Sequence, residues 1–271
     1  MKTHHKMTGW AALTCAVAAA ACTGSDPATG TLTVRLTDAP SPELQSAVVW
    51  VSSVYLIGGT DEAGPRITIT DTPAEYDLME LTNGVTAHLG SADLPVGSYT
   101  QMRLVVDSAK VTLKAGTTFS DGSNTRSLTV PSGQQTGIKV NFSGPVEVRV
   151  GETILVVDFD VLRSFHSTGP PSNPNGMMFK PVLHATAQDV AASISGTVTP
   201  ASSNATLYAV NSGGSTPDTV ATALADPLSG EYALRFLPPG TYDVSVLGTG
   251  LTGTKNVTVG PGENKTGVNF P

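Results

Sequence analysis

The chain has little charge, few aromatics and almost no cysteine. Of its 271 residues 14% are charged, 6% are aromatic and two are Cys. Fifteen Lys and Arg against 22 Asp and Glu give a net charge of −7. The basic residues are dispersed, which argues against nucleic acid as a partner. No apolar run reaches the ~20 residues a membrane-spanning helix needs. Motifs such as HExxH, GxSxG or a phosphate-binding glycine loop are missing. The segment PSGQQTG carries a glycine, but it lies between two expected strands rather than before a helix, so it lacks a helix dipole to favour phosphate. No cofactor is implied.

What is abundant points to β structure. Gly (28) and Pro (19) punctuate the chain, and Thr and Val recur in short alternating runs. The length allows two modest domains, each able to bury a core. Period-2 alternation marks strands at 31–37, 46–57, 66–70, 99–107, 109–114, 127–130, 137–142, 146–150, 152–160 and 180–188. Residues 74–84 could hold a helical turn. After a short joint at 189–193 the rhythm restarts at 193–199, 205–210, 219–224, 230–237, 241–248, 255–259 and 266–270. The expected fold class is all-β, as two β-sandwich-like domains.

The N-terminus reads as an export signal. MKTHHKMTG is short and basic, WAALTCAVAAAA is apolar, and Cys22 opens the small, polar stretch that follows. Ala19-Ala20-Ala21-Cys22 resembles the bacterial lipoprotein cleavage box, although that box usually has Leu where this chain has Ala19. Residues 1–21 are thus expected to be a signal peptide and 22–29 a lipidated tether. Acylation would give the otherwise unpaired Cys22 a role and hold the chain to a membrane, since each buried CH₂ adds about 0.8 kcal/mol. Thr23 and Gly24, where Asp after the Cys would favour inner-membrane retention, make the outer membrane or cell surface the expected address. Ordinary cleavage releasing a secreted or periplasmic protein is the alternative.

LPVGSY (94–99) and LPPGTY (237–242) each precede a strand. In both, Leu can enter the core, Pro fixes φ, and Gly is expected to supply a positive φ. The ring of Tyr99 or Tyr242 would then be buried, with its hydroxyl bonding backbone across the turn as in a tyrosine corner. The competing reading is a pair of ligand-facing tyrosine loops.

Two resemblances follow. The order Leu36-Thr37-Asp38-Ala39-Pro40, Asp77-Leu78 with Asn83-Gly84, Leu94 to Gln101, Pro131 to Lys139, Asp158-Phe159-Asp160 and Lys180-Pro181-Val182 resembles the bacterial lipoprotein family of domain of unknown function 4382. It covers residues 30–190 and implies an anchored β-rich domain without an established reaction. Arg163-Ser164 departs from the Lys-Ser expected there. Residues 193–271, through Ile194 to Val198, Ser229 to Tyr232 and Leu237 to Val244, resemble carboxypeptidase regulatory-like domains, which are prealbumin-type sandwiches. That resemblance implies a non-catalytic module, sometimes assigned to carbohydrate binding through its fold. Tyr208, Tyr232, Phe236, Tyr242 and Phe270 mostly fall at strand positions that suggest core.

Asp38, Asp158 and Asp160 are the most suggestive carboxylates. In a strand Asp158 and Asp160 share a face, and with the TDAP turn nearby they are candidate Ca²⁺ ligands. Otherwise Asp38 caps its own turn and the DFD pair lies on a solvated face. His166, with Asp158 or Asp160, is the best candidate for a hydrolase. The preferred expectation is a non-enzymatic, lipid-anchored envelope protein that binds or organises an envelope protein or a glycan; a carbohydrate-binding accessory module is the alternative.

Overall fold

A computed structural model describes residues 28–38, 41–58, 64–130, 136–142, 144–170, 172–201, 205–211, 217–248 and 250–271. The signal segment, Cys22 and the tether up to residue 27 lie outside the described residues, as do Ala39, Pro40 and 131–135.

Fourteen strands fill the first part of the described chain: β1 (Thr29–Thr37), β2 (Leu44–Ile57), β3 (Arg66–Thr70), β4 (Ala74–Asp77), β5 (Ala87–Pro95), β6 (Gly97–Tyr99), β7 (Gln101–Leu113), β8 (Thr125–Leu128), β9 (Ile138–Phe142), β10 (Val146–Val148), β11 (Glu152–Phe159), β12 (Phe165–Thr168), β13 (Gly176–Phe179) and β14 (Leu183–Ala187). Ten of them form one sheet, ordered β3-β2-β7-β9-β14-β11-β1-β5, with β4 on β2 and β8 on β7. β6 pairs with β10, and β12 with β13. Alternation sets the core: Leu32, Val34 and Leu36 of β1 are fully buried, as are Leu155 and Val157 of the parallel neighbour β11.

Seven strands follow: β15 (Ala192–Thr197), β16 (Thr206–Asn211), β17 (Asp218–Leu224), β18 (Glu231–Leu237), β19 (Gly240–Gly248), β20 (Leu251–Val259) and β21 (Asn264–Lys265). They make a three-stranded sheet, β18-β15-β21, and a four-stranded one, β17-β16-β19-β20. Between them lies a second apolar cluster that includes Ile194, Leu207, Leu234, Val244 and Phe270. The first cluster runs from Leu32 to Ala185 and shares no residue with it.

Most expected strands appear, and the departures have local causes. The two runs at 99–107 and 109–114 are one strand, β7, carried through exposed Asp107 and Ser108 by its long ladder to β2, whose register shifts beside Trp50. Residues 74–84 begin as strand β4, because β2 offers it a ladder. Helical geometry is confined to a 3₁₀ turn at Leu78–Glu80, where the Asp77 carboxylate accepts from Met79 N at 3.1 Å. β5 was not expected, nor was the β12–β13 hairpin around the Gly- and Pro-rich loop. At the C-terminus β21 is only two residues long, and Phe270 joins Val198 by an isolated bridge.

Both Leu-Pro turns form the same local bond. The Tyr99 hydroxyl donates to Pro95 O at 2.9 Å and the Tyr242 hydroxyl to Pro238 O at 2.6 Å, with Leu94 and Leu237 fully buried. The expected positive φ is absent at both Gly97 and Gly240. Just before the second turn, Phe236 of β18 has the positive φ instead, at 54°.

Candidate functional site

The three singled-out carboxylates converge where β1 and β11 end. These strands pair in parallel with Thr37 opposite Asp158, which brings the next residues of both chains together. Thr37 Oγ1 donates to Val85 O at 2.9 Å, and Asp38 N donates to Leu81 O at 3.1 Å, fixing the strand exit. Beyond Phe159 the chain makes a single turn of helix, α1 (Val161–Ser164). The first N–H groups of a helix lack internal partners. Asp38 Oδ1 accepts from Val161 N at 3.0 Å, and Asp160 Oδ1 accepts from Arg163 N at 3.0 Å. Asp38 therefore caps α1 across a long stretch of sequence rather than its own turn. The DFD pair is not on a solvated face either: Asp160 is fully buried and Asp158 half-buried with Oδ1 enclosed, because the second β unit covers this end of the sheet.

Three further polar residues lie beside the carboxylates: His184, Arg163 and Ser164, the last of which the sequence offered only as a companion of His166. His184 of β14 stands opposite Asp158 in the ladder and is buried. Its Nε2 lies 4.0 Å from Asp218 Oδ2 of β17, beyond hydrogen-bond reach. Arg163 crosses from α1 to the second unit, where one terminal nitrogen donates to Thr219 O and the other to Asp218 Oδ1, the latter at 3.1 Å. Ser164 is fully buried and accepts from Val182 N at 2.9 Å. The Arg163-Ser164 pair thus has two jobs, one across the units and one within the first. Arg163 stood out in sequence only as a departure from the Lys expected before Ser164, and His184 only as a lone imidazole in the run LHATA.

Between the units lies a cavity of about 30 Å³ lined by Asp38, Asp158, Thr222, Arg235 and Phe236 among others, room for roughly one or two waters. Asn83 and Gly84 also line it. At Gly84, with φ of 88°, a Cβ would come within 2.9 Å of Arg235 Cδ. Asp158 Oδ1, Asp160 Oδ2, His184 Nε2 and Thr222 Oγ1 are buried without a protein hydrogen bond. Segments of the 4382 pattern meet here: Thr37-Asp38, Asn83-Gly84 and Asp158 line the cavity, while Asp160 N donates to Val182 O at 3.1 Å beside it.

Burial governs the electrostatics. It holds the Asp158 carboxyl well above the ordinary carboxylate range, and the Asp160 charge adds to the shift. Asp160 is pushed up to about 6 by burial, against the opposing hydrogen bond and charge from Arg163. His184 is lowered by burial, with Asp218 pulling the other way.

The geometry matches neither reactive alternative. Among the described residues no group of three or more His, Cys, Asp and Glu side chains could hold a metal ion, so Asp38, Asp158 and Asp160 do not form the Ca²⁺ set considered above. His166 of β12 is exposed, opposite Met178, in a crevice with Ser41, Glu43 and Ser167. No hydrogen bond or ion pair joins it to Asp158 or Asp160, so the pair required for a hydrolase is not assembled.

Residues 29–181 match the family described as Domain of unknown function (DUF4382). The chain belongs to that family. A comparison with curated proteins returns no match. Among solved structures, the DUF4382 chain is similar to the Bacillus anthracis TIE protein, with 12% identity and a TM-score of 0.25, covering 90% of this chain and 34% of that one. It thus spans about a third of that protein's length. It is also similar to GBS52, the minor pilin of Streptococcus agalactiae, with 12% identity, a TM-score of 0.25 and 90% and 95% of the two chains covered. The shaft pilin spaA from Lactobacillus rhamnosus GG follows, with 11% identity, a TM-score of 0.22 and 91% and 99% covered.

Proposed function

We propose that this DUF4382 protein is a non-catalytic, lipid-anchored component of the bacterial envelope that holds two β units away from the membrane to bind or organise another envelope component. One observation carries the non-catalytic part: the chemically suggestive carboxylates are buried beneath the second unit, two of them occupied as caps of α1. A cavity of about 30 Å³ has no room for a substrate beside them. Anchoring rests on the sequence around Cys22, and acyl chains there are its means of membrane attachment.

The carbohydrate alternative has less support. Sugar recognition uses exposed aromatic faces, and among the described residues every Phe, Tyr and Trp is buried or half-buried. The test is metabolic acyl-chain labelling with fractionation of the envelope. Label and membrane association are expected in the wild type and lost in Cys22→Ala. Label retained in that variant, or a soluble unmodified wild type, overturns the anchored reading.

A further inference from the structure

The two β units are joined in an unusual way for parts that bury charge between them. Among the described residues no strand pairing crosses between the units, and the two apolar clusters share no residue. An interface without a shared apolar core leaves relative motion as the default. What crosses is polar: Arg163 to Thr219 O and Asp218, and His184 beside Asp218. Unpartnered buried atoms lie on both sides, Asp158 Oδ1 and Asp160 Oδ2 in the first unit and Thr222 Oγ1 in the second, and Asp158 and Thr222 line the cavity between them.

We propose that this junction is a proton-operated joint, in which protonated Asp158 and Asp160 keep the second unit docked and their ionisation releases it about the connection at 188–191. Four carboxyl groups meet here, Asp38 from the end of β1, Asp158 from β11, Asp160 before α1 and Asp218 from β17. They face Arg163 from α1, Arg235 from β18, the neutral His184 from β14 and Tyr208 from β16, whose hydroxyl feels the Asp160 charge. With Asp158 and Asp160 both ionised, two neighbouring charges each keep a buried oxygen without a hydrogen-bond partner, and burying such charge is costly. Opening admits water and removes that cost. The pivot is visible in the backbone: Gln188 N is tied to Ile154 O of β11 at 2.8 Å, while Val190 O accepts from Gly262 N of the second unit at 3.1 Å. Asp189 lies between the two attachments, in a turn that Val190 N closes by donating to Ala187 O at 3.2 Å.

Hydroxyl-radical footprinting of the full chain reads the joint directly. Tyr208 and Phe236 report from the junction, and Tyr242 and Phe119 from the two cores. Tyr208 and Phe236 should oxidise severalfold faster at about pH 8 than at about pH 5, with Tyr242 and Phe119 unchanged. In the double variant Asp158→Asn, Asp160→Asn the slow rates should persist at the higher pH. Should that variant fail to fold, Asp160→Asn alone, which keeps a side-chain cap on α1, should show a reduced gain. Equal wild-type rates at both pH values, an undiminished gain in the variants, or a matching gain in the core aromatics overturns the joint.

Discussion

At the two corners a buried hydroxyl meets a carbonyl; at the junction one oxygen each of Asp158 and Asp160, an imidazole nitrogen and a threonine hydroxyl meet no partner. Both regions bury polar atoms at strand ends, so burial alone does not separate them. The corners lie within one unit, where four residues of chain bring donor and acceptor together. The junction lies between units whose strands run in separate sheets, and no short loop can place its partners. Satisfied polar groups stabilise a packed fold, whereas unsatisfied ones make an interface sensitive to conditions.

Several substitutions should sharpen that contrast. The largest loss is expected where apolar packing holds the junction's floor: Phe159, fully buried and stacked on Phe179 at 6.0 Å. Phe159→Ala should cost about 3–5 kcal/mol in denaturant unfolding, whereas a loss below about 1 kcal/mol would mean the ring is not core.

Next comes Asp160. Folded, it holds its proton to about 6, while the unfolded chain releases it near 3.8. Between those values the folded state binds more protons, so the contribution of Asp160 to stability is full in acid and is lost as pH rises through about 6. Asp160→Asn should therefore stabilise the protein near neutral pH by on the order of 2 kcal/mol, with little change near pH 4. His184 acts in the opposite sense. Its folded value is depressed, so its contribution is lost as pH falls below 6.5. The two contributions therefore offset one another below pH 6.5, so His184→Ala should steepen the loss of stability with rising pH, and an unchanged slope would break the scheme.

The corners should respond more modestly. Tyr242, 1% exposed and pushed up to about 12, makes the shorter bond, and Tyr242→Phe should cost about 1 kcal/mol. Tyr99 sits on the three-residue strand β6, off the main sheet, with the longer bond. Tyr99→Phe should cost less, and a reversed order would show that sheet position does not set corner strength. Smallest of all, Asp218→Asn removes a half-exposed partner of Arg163 and should shift stability by under about 1 kcal/mol.

The sequence disclosed what repeats along the chain and hid what meets across it. Alternation located β1, β2, β3, β11 and most of the second unit because each has one face in a core. It failed at β4, where the AEYD pattern suits a helical turn equally well until β2 supplies a ladder. It failed again at the β12–β13 hairpin, whose strands flank a loop rich in Pro and Gly. Asp38, Asp158 and Asp160 were recognised as a set, but their chemistry was misread. A carboxylate at a strand end looks the same in sequence whether water or another β unit covers it. Arg163 and Asp218 gave no sign of their pairing, since 55 residues separate them.

Burial between two β units holds the Asp158 and Asp160 carboxyls above the ordinary carboxylate range, and the proposed joint depends on it. A carboxyl-carbon NMR titration of the full chain tests it directly. A midpoint near 6 for Asp160 and one raised well above 3.8 for Asp158 are expected, whereas both carboxyls titrating near 3.8 would contradict a joint held by their protons.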